Sequence, residues 1–183
     1  MADLGKYREE IDQIDSNLVK LLDRRAEISR AVGRAKAGEG RQVFDAGRHR
    51  AVIEKAVGRG SGSFPSENLR AIMREILSVS LALQKPLKVA YLGPAATFCH
   101  QAAMGEFGSA VDFEADHKIR EVFQSIHSDR ADYGVVPIEN STGGMVHDTL
   151  DGFIEFDVRI CHEILLPIQH SLLANIPLED IRV

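Results

Sequence analysis

The stretch from Tyr7 to Lys36, YREEIDQIDSNLVKLLDRRAEISRAVGRAK, constrains the rest of the chain more than any other. Its apolar residues fall at Ile11, Ile14, Leu18, Leu21, Ile28, Val32 and Ala35, a 3-4 alternation that draws one stripe along a continuous helix. One member of the series is replaced, because position 25 holds an arginine. A charge on a buried stripe must find an anion or bear a heavy desolvation cost, which makes Arg25 a candidate anion ligand. Lys36 lies eleven positions on, three turns away at nearly the same azimuth, so the two cations share one face about 16 Å apart. A small dianion fits between two such long side chains.

The helix is expected to start between Leu4 and Arg8 and to run to Ala37, with Gly38 and Gly40 stopping it. At 1.5 Å per residue it is about 45 Å long, more than a small monomer can cover, and a homodimer through this helix is therefore expected. A second helix fits 46–57. The segment GRGSGSFPSEN breaks the pattern, with Ser66 as the expected N-cap behind Pro65, and a third helix fits 68–84 with Leu69, Ile72, Met73, Ile76, Leu77 and Leu83 on one side.

From Leu87 onward the pattern changes to short strands alternating with helices, as in an α/β domain. Strands are expected at 87–92, 111–113 and 133–137, and helices at 98–107, 119–128 and from about 144 to 155. One or two extended segments follow at 159–174, and Ile181, Arg182 and Val183 read as the start of a further strand, so the α/β unit looks cut short. Charge divides the chain at the same place. Residues 1–85 carry sixteen Lys/Arg against twelve Asp/Glu, and residues 86–183 six against fifteen, net +4 and −9 within a total of −5.

These features exclude several classes. The cations of the basic half are interleaved with acids and accompanied by almost no aromatics, which argues against nucleic acid and toward small anions. No apolar run approaches the ~20 residues of a membrane span and no signal segment opens the chain, so a cytoplasmic protein without a membrane partner is expected. Cys99 and Cys161 are distant and unpaired in spacing, and no Ser-His-Asp set, metal cluster or glycine-rich phosphate loop occurs, so neither metal nor cofactor is expected.

Polar residues recur at helical spacing around the two cations. Asp45 and Arg48 are three apart at the start of the second helix, and Ser80 and Gln84 four apart on the third. LLDRR (21–25), VGRAK (32–36), VFDAGR (43–48) and SLALQ (80–84) together resemble the all-helical chorismate mutase family over about residues 4–85. The resemblance implies a three-helix intertwined dimer in which Arg8 comes from the partner's long helix. By it, Arg8 and Arg25 clamp the substrate carboxylates, Lys36 and Gln84 donate to the ether oxygen, Ser80 and the backbone near Asp45 complete carboxylate binding and Arg48 supports the entrance. Where the family usually carries a glutamate that accepts a substrate hydroxyl, this chain has His49. A neutral imidazole can accept that bond and a protonated one cannot, so activity is expected to fall as pH drops through the imidazole range; the alternative is that His49 faces solvent and the contact is lost.

In the second half, KVAYLGPAATF (88–98) and YGVVPIENSTGG (133–144) place backbone N–H groups, a hydroxyl, a carboxylate and an amide at the carboxyl edge of strands, where α/β proteins bind ligands. They resemble prephenate dehydratase, except that Ala96 stands where its motif has glycine, a costly exchange if that position needs a positive φ. The resemblance implies the first part of a two-lobed, periplasmic-binding-protein-like domain, with Thr97, Asn140, Ser141 and Gly144 lining a prephenate cleft. Mutase followed by dehydratase is the order of the bifunctional family of phenylalanine biosynthesis, with chorismate and prephenate as substrates, a mutase domain at 1–85 and the first part of a dehydratase domain at 86–183. That family's Thr-Arg-Phe motif does not occur in these residues, so mutase but not dehydratase activity is expected of this chain. The competing reading is a non-catalytic dimerisation and ligand-binding module that senses an aromatic-pathway acid.

Overall fold

A computed structural model describes residues 4–39 and 43–176. The expectations for Gly40 and for 181–183 lie outside these residues. Three helices come first: α1 (Leu4–Gly38), α2 (Ala46–Val57) and α3 (Ser66–Gln84). The rest alternates as expected, in the order β1 (Lys88–Leu92), α4 (Phe98–Phe107), β2 (Asp112–Asp116), α5 (Ile119–His127), β3 (Tyr133–Val135), β4 (Glu139–Asn140), β5 (Gly144–Met145) and α6 (His147–Glu155).

The helical half is organised by a stripe of α1 that the apolar alternation does not mark. Ser29 and Gly33 are its buried residues, and with Arg25 they form an i, i+4, i+8 series facing α3. A Cβ on Gly33 would lie 2.7 Å from both the Cα and the carbonyl oxygen of Gln84, so the two backbones approach as closely as glycine allows. Gly33→Ala gains about 1 kcal/mol of helix propensity but must push α3 away. A net loss of about 1–3 kcal/mol is expected, read as a lower urea midpoint; an unchanged midpoint would mean that the helices part without cost. The apolar stripe itself is open: Ile11, Ile14, Leu18 and Leu21 are 56%, 58%, 52% and 67% exposed.

Two termini differ from expectation. Helix α3 begins at Ser66, with Pro65 in the capping position, and since proline has no side-chain acceptor no side-chain cap forms. Helix α6 begins at His147 rather than 144, since Glu139–Asn140 and Gly144–Met145 pair as an antiparallel ribbon and Gly144 turns at φ 71°. The 159–174 stretch forms no strand and no ladder.

Strands β2, β1 and β3 form a parallel sheet in that order, with Val89 opposite both Phe113 and Tyr133. One crossover leads to one edge and the next returns over β1 to the other, so the chain reverses direction at β1. Alternate residues of β1 serve opposite faces. Val89 and Tyr91 join Phe44, Leu81, Leu87, Ala103, Phe107 and Val111 in the main core, whereas Ala90 packs with Val122 and Ala131 beneath α5. The main core thus includes residues of α3 and of the α1–α2 connection, and the halves are not separate globules. Ser78 of α3 accepts the Ala110 N–H at 3.0 Å, and Asp132 takes the Lys85 ammonium at 2.5 Å and the Lys88 N–H at 3.0 Å.

No helix of the described residues is long and apolar enough to cross a membrane.

Candidate active site

The groove between α1 and α3 gathers four of the residues singled out from sequence. Arg25, half-buried, donates to the Ser80 hydroxyl and, at 3.2 Å, to the Ile76 carbonyl. Ser80 in turn donates to the Ile76 carbonyl at 2.7 Å, and the Gln84 amide donates to the Ser80 carbonyl at 3.0 Å. Gln84 Oε1 is buried with no partner. Lys36, one turn beyond Gly33, donates to the Val43 carbonyl at 2.6 Å. Among the described residues no carboxylate lies within ion-pair distance of Arg25 or Lys36. Burial accordingly pulls the Arg25 guanidinium below its ordinary range, the signature of a cation held without a counter-charge. Such a groove is suited to a small anion.

Asp45 is the N-cap of α2, its carboxylate accepting the Arg48 N–H at 2.9 Å, and the Arg48 side chain is exposed. Arg8 does not join the cluster. It is exposed on α1 and seventeen residues, about 25 Å, from Arg25 of the same helix.

His49 departs most from expectation. It neither faces solvent nor meets the Arg25 group: it is 9% exposed, lies 5.6 Å from the Phe44 ring, and lines a cleft of about 180 Å³ with Arg50, Arg74 and Glu106. Its Nε2 has no partner. Burial, and then the nearby Arg74, push its pKa below the ordinary value, so it is neutral near pH 7. In the unfolded chain the imidazole titrates near ~6.5. As pH falls below that, the unfolded state gains a proton the native one resists, so the stability present above ~6.5 is lost toward acid. His49→Gln should flatten the decline in Tm between about pH 7 and 5; an unchanged slope would place the imidazole in water.

The second candidate site occupies the sheet's carboxyl edge, where the reversal at β1 places the loops after β1 and β3 side by side. Thr97 caps α4: its hydroxyl donates to the Pro94 carbonyl at 2.9 Å and accepts from the His100 N–H at 3.4 Å. Ala96 does adopt a positive φ, 65°, where the matched motif has glycine, at a cost of about 1–2 kcal/mol. His100, which sequence reasoning missed, holds that strained turn. Its Nδ1 accepts the Ala96 N–H at 3.0 Å while its ring stacks on Tyr91 at 4.7 Å. Its place in the first turn of the helix, four residues after the turn, was the available signal. After β3, Asn140 Oδ1 accepts the N–H groups of Thr142, at 3.1 Å, and Gly143, leaving its NH₂ free, and Ser141 is exposed. Gly144 closes this ribbon opposite Asn140.

Family models match both halves: chorismate mutase type II over residues 7–85, and prephenate dehydratase over 89–183. The bifunctional chorismate mutase/prephenate dehydratase of Aquifex aeolicus is 42% identical over 99% of this chain and 51% of its own. That of Pseudomonas aeruginosa is 40% identical over 96% of this chain and 50% of its own. The chain belongs to the prephenate dehydratase family, with a chorismate mutase type II match ahead of that domain. It spans about half the length of the curated relatives it matches. An X-ray structure of prephenate dehydratase from Streptococcus mutans overlaps 38% of this chain and 36% of its own at 38% identity, with a TM-score of 0.36. Within this chain, the α1–α3 groove falls in the chorismate mutase type II match and the sheet edge in the prephenate dehydratase match.

Proposed function

We propose that the α1–α3 groove is a chorismate mutase site and that residues 1–85 form the mutase unit. The carrying observation is the pair of half-buried cations, Arg25 and Lys36, with no carboxylate of the described residues in reach. Chorismate bears two carboxylates and rearranges to prephenate through a pericyclic shift, with no covalent intermediate and no proton transfer. The site's work is therefore to select the compact conformer and to stabilise charge developing on the breaking ether oxygen. Arg25 takes one carboxylate, with Ser80 and the Asp45 turn beside it. Lys36 and Gln84 donate to the ether oxygen, the Gln84 amide using the second of its two N–H donors while the first stays on the Ser80 carbonyl. Arg48 closes the end. His49, turned away, supports α2 instead of the substrate hydroxyl.

Arg8 serves the site of a second copy. At about 25 Å it cannot meet Arg25's ligand within one chain, and the open stripe of Ile11, Ile14, Leu18 and Leu21 is the surface on which an antiparallel copy brings it there. The working form is then an intertwined homodimer of cytoplasmic chains. Residues 86–183 are the first part of a two-lobed, periplasmic-binding-protein-like dehydratase unit, with Thr97, Asn140, Ser141 and Gly144 toward prephenate.

The test follows loss of chorismate absorbance with wild type and Arg25→Ala. The purified chain is expected to consume chorismate and accumulate prephenate without forming phenylpyruvate; phenylpyruvate from this chain would place the second chemistry within these residues.

A further inference from the structure

An aromatic cluster that joins the two halves sits directly behind Lys36. Phe44, 4% exposed, projects from the α1–α2 connection and lies 4.7 Å from the Phe107 ring of α4 and edge-on, 5.4 Å, to Tyr133 of β3. The Tyr133 hydroxyl donates to the Phe44 carbonyl at 3.4 Å. On either side of Phe44 are the groups the mutase reading needs. The Val43 carbonyl holds Lys36 Nζ at 2.6 Å, and Asp45 caps α2. Val43 itself packs on the same core. Planar peptide units join these three residues, so the seat of Phe44 sets the direction of both neighbours.

We propose that Phe107 and Tyr133, residues of the α/β half, are positioning residues for the mutase reaction: by clamping Phe44 they fix the Val43 carbonyl and, through it, the Lys36 ammonium. The inference rests on the mutase reading of the groove. Lysine is a point charge on a flexible four-carbon stem, and its aim depends on what holds it. One of its three donors goes to Val43, leaving two for a substrate oxygen. The rings that grip Phe44 include only His49 from its own half, at 5.6 Å, so the α/β half supplies most of the aromatic clamp. Because Lys36 acts on charge that develops in the transition state, a loosened clamp lowers kcat and leaves KM nearly unchanged.

The experiment uses the whole 183-residue chain. Phe107→Ala and Tyr133→Ala are expected to lower kcat for chorismate at least about tenfold with KM within about twofold. Phe107→Leu, which refills the cleft, recovers most of the loss, and Tyr133→Phe, which removes only the hydroxyl bond, gives a smaller one. Phe123→Ala is the control. It opens a similar void against Phe153 and Phe156, far from Phe44, and leaves kcat unchanged. A readout without turnover is the rate at which acetic anhydride acetylates Lys36, mapped by mass spectrometry, which rises in Phe107→Ala and not in Phe123→Ala. Unchanged kcat in the clamp variants, or equal losses in Phe107→Ala and Phe123→Ala with unchanged Lys36 labelling, overturns the proposal. Should Phe107→Ala not fold, Tyr133→Ala, with Tyr133→Phe as its milder form, carries the same comparison against Phe123→Ala. A wild type that leaves chorismate untouched fails the mutase reading instead, and the labelling contrast still decides whether the clamp holds Lys36.

Discussion

Arg25→Ala lowers kcat/KM for chorismate by about 10²–10³-fold while leaving the fold intact. The magnitude is that of removing one preorganised donor from a site where charge is bound and developed out of water. The intact fold follows from the geometry around it. Ser80 keeps its own bond to the Ile76 carbonyl at 2.7 Å, so no buried hydroxyl is orphaned when the guanidinium goes. In the free protein Arg25 is a half-buried cation without a counter-charge, and burial lowers its pKa, so its loss relieves desolvation. The melting temperature should hold or rise as activity falls. That opposition separates a site residue from a structural one: a variant that keeps activity within about threefold of wild type would sink the mutase assignment, and no consumption by either protein would favour the non-catalytic binding module. Arg25→Lys keeps the charge but loses the forked geometry, and should recover only part of the loss.

Mixing two inactive variants restores activity. Arg8→Ala and Arg25→Ala are each expected to be nearly inactive alone. Refolded together in equal amounts, random pairing makes about half of the dimers mixed, and each mixed dimer holds one site with both arginines, so about a quarter of wild-type activity returns. If each site were built within one chain, the mixture would stay as inactive as its parents. The same logic applies to the interface. Leu18→Glu with Leu21→Glu puts charges on an apolar stripe that is more than half exposed in the single chain, so it should yield a folded monomer without mutase activity; an active monomer would refute the shared site.

Much of this was legible in the residues. The limits of α1 and α4 follow from local chemistry: Gly38 at one end, and Thr97 capping a helix that runs from Phe98 to Phe107 as expected. The positive φ at Ala96 was legible too, because a motif position that carries glycine marks a backbone conformation rather than a side chain. What failed did so where distant elements compete with local preference. The start of α6 shifts to His147 because residues 139–145 satisfy their backbone as a ribbon, a choice that periodicity does not record. His49 was placed toward substrate or solvent because a helix position little more than a quarter of a turn from Arg48 can face either. The docking of α4 on Phe44 turned it inward.

The sequence by itself determined which residues share a face, since the i, i+4, i+8 relation of Arg25, Ser29 and Gly33 and the apolar stripe beside it are consequences of helix geometry alone. It also set apart the two stretches that the family models match, through motifs whose spacing survives any packing. Only the tertiary structure decided what each face meets. The Arg25–Ser80 contact, the backbone approach at Gly33 and Gln84, and the seating of Phe44 between Phe107 and Tyr133 all join residues at least fifty positions apart. Such contacts are selected by the area buried when whole elements come together, and that sum has no signature in any local stretch of chain.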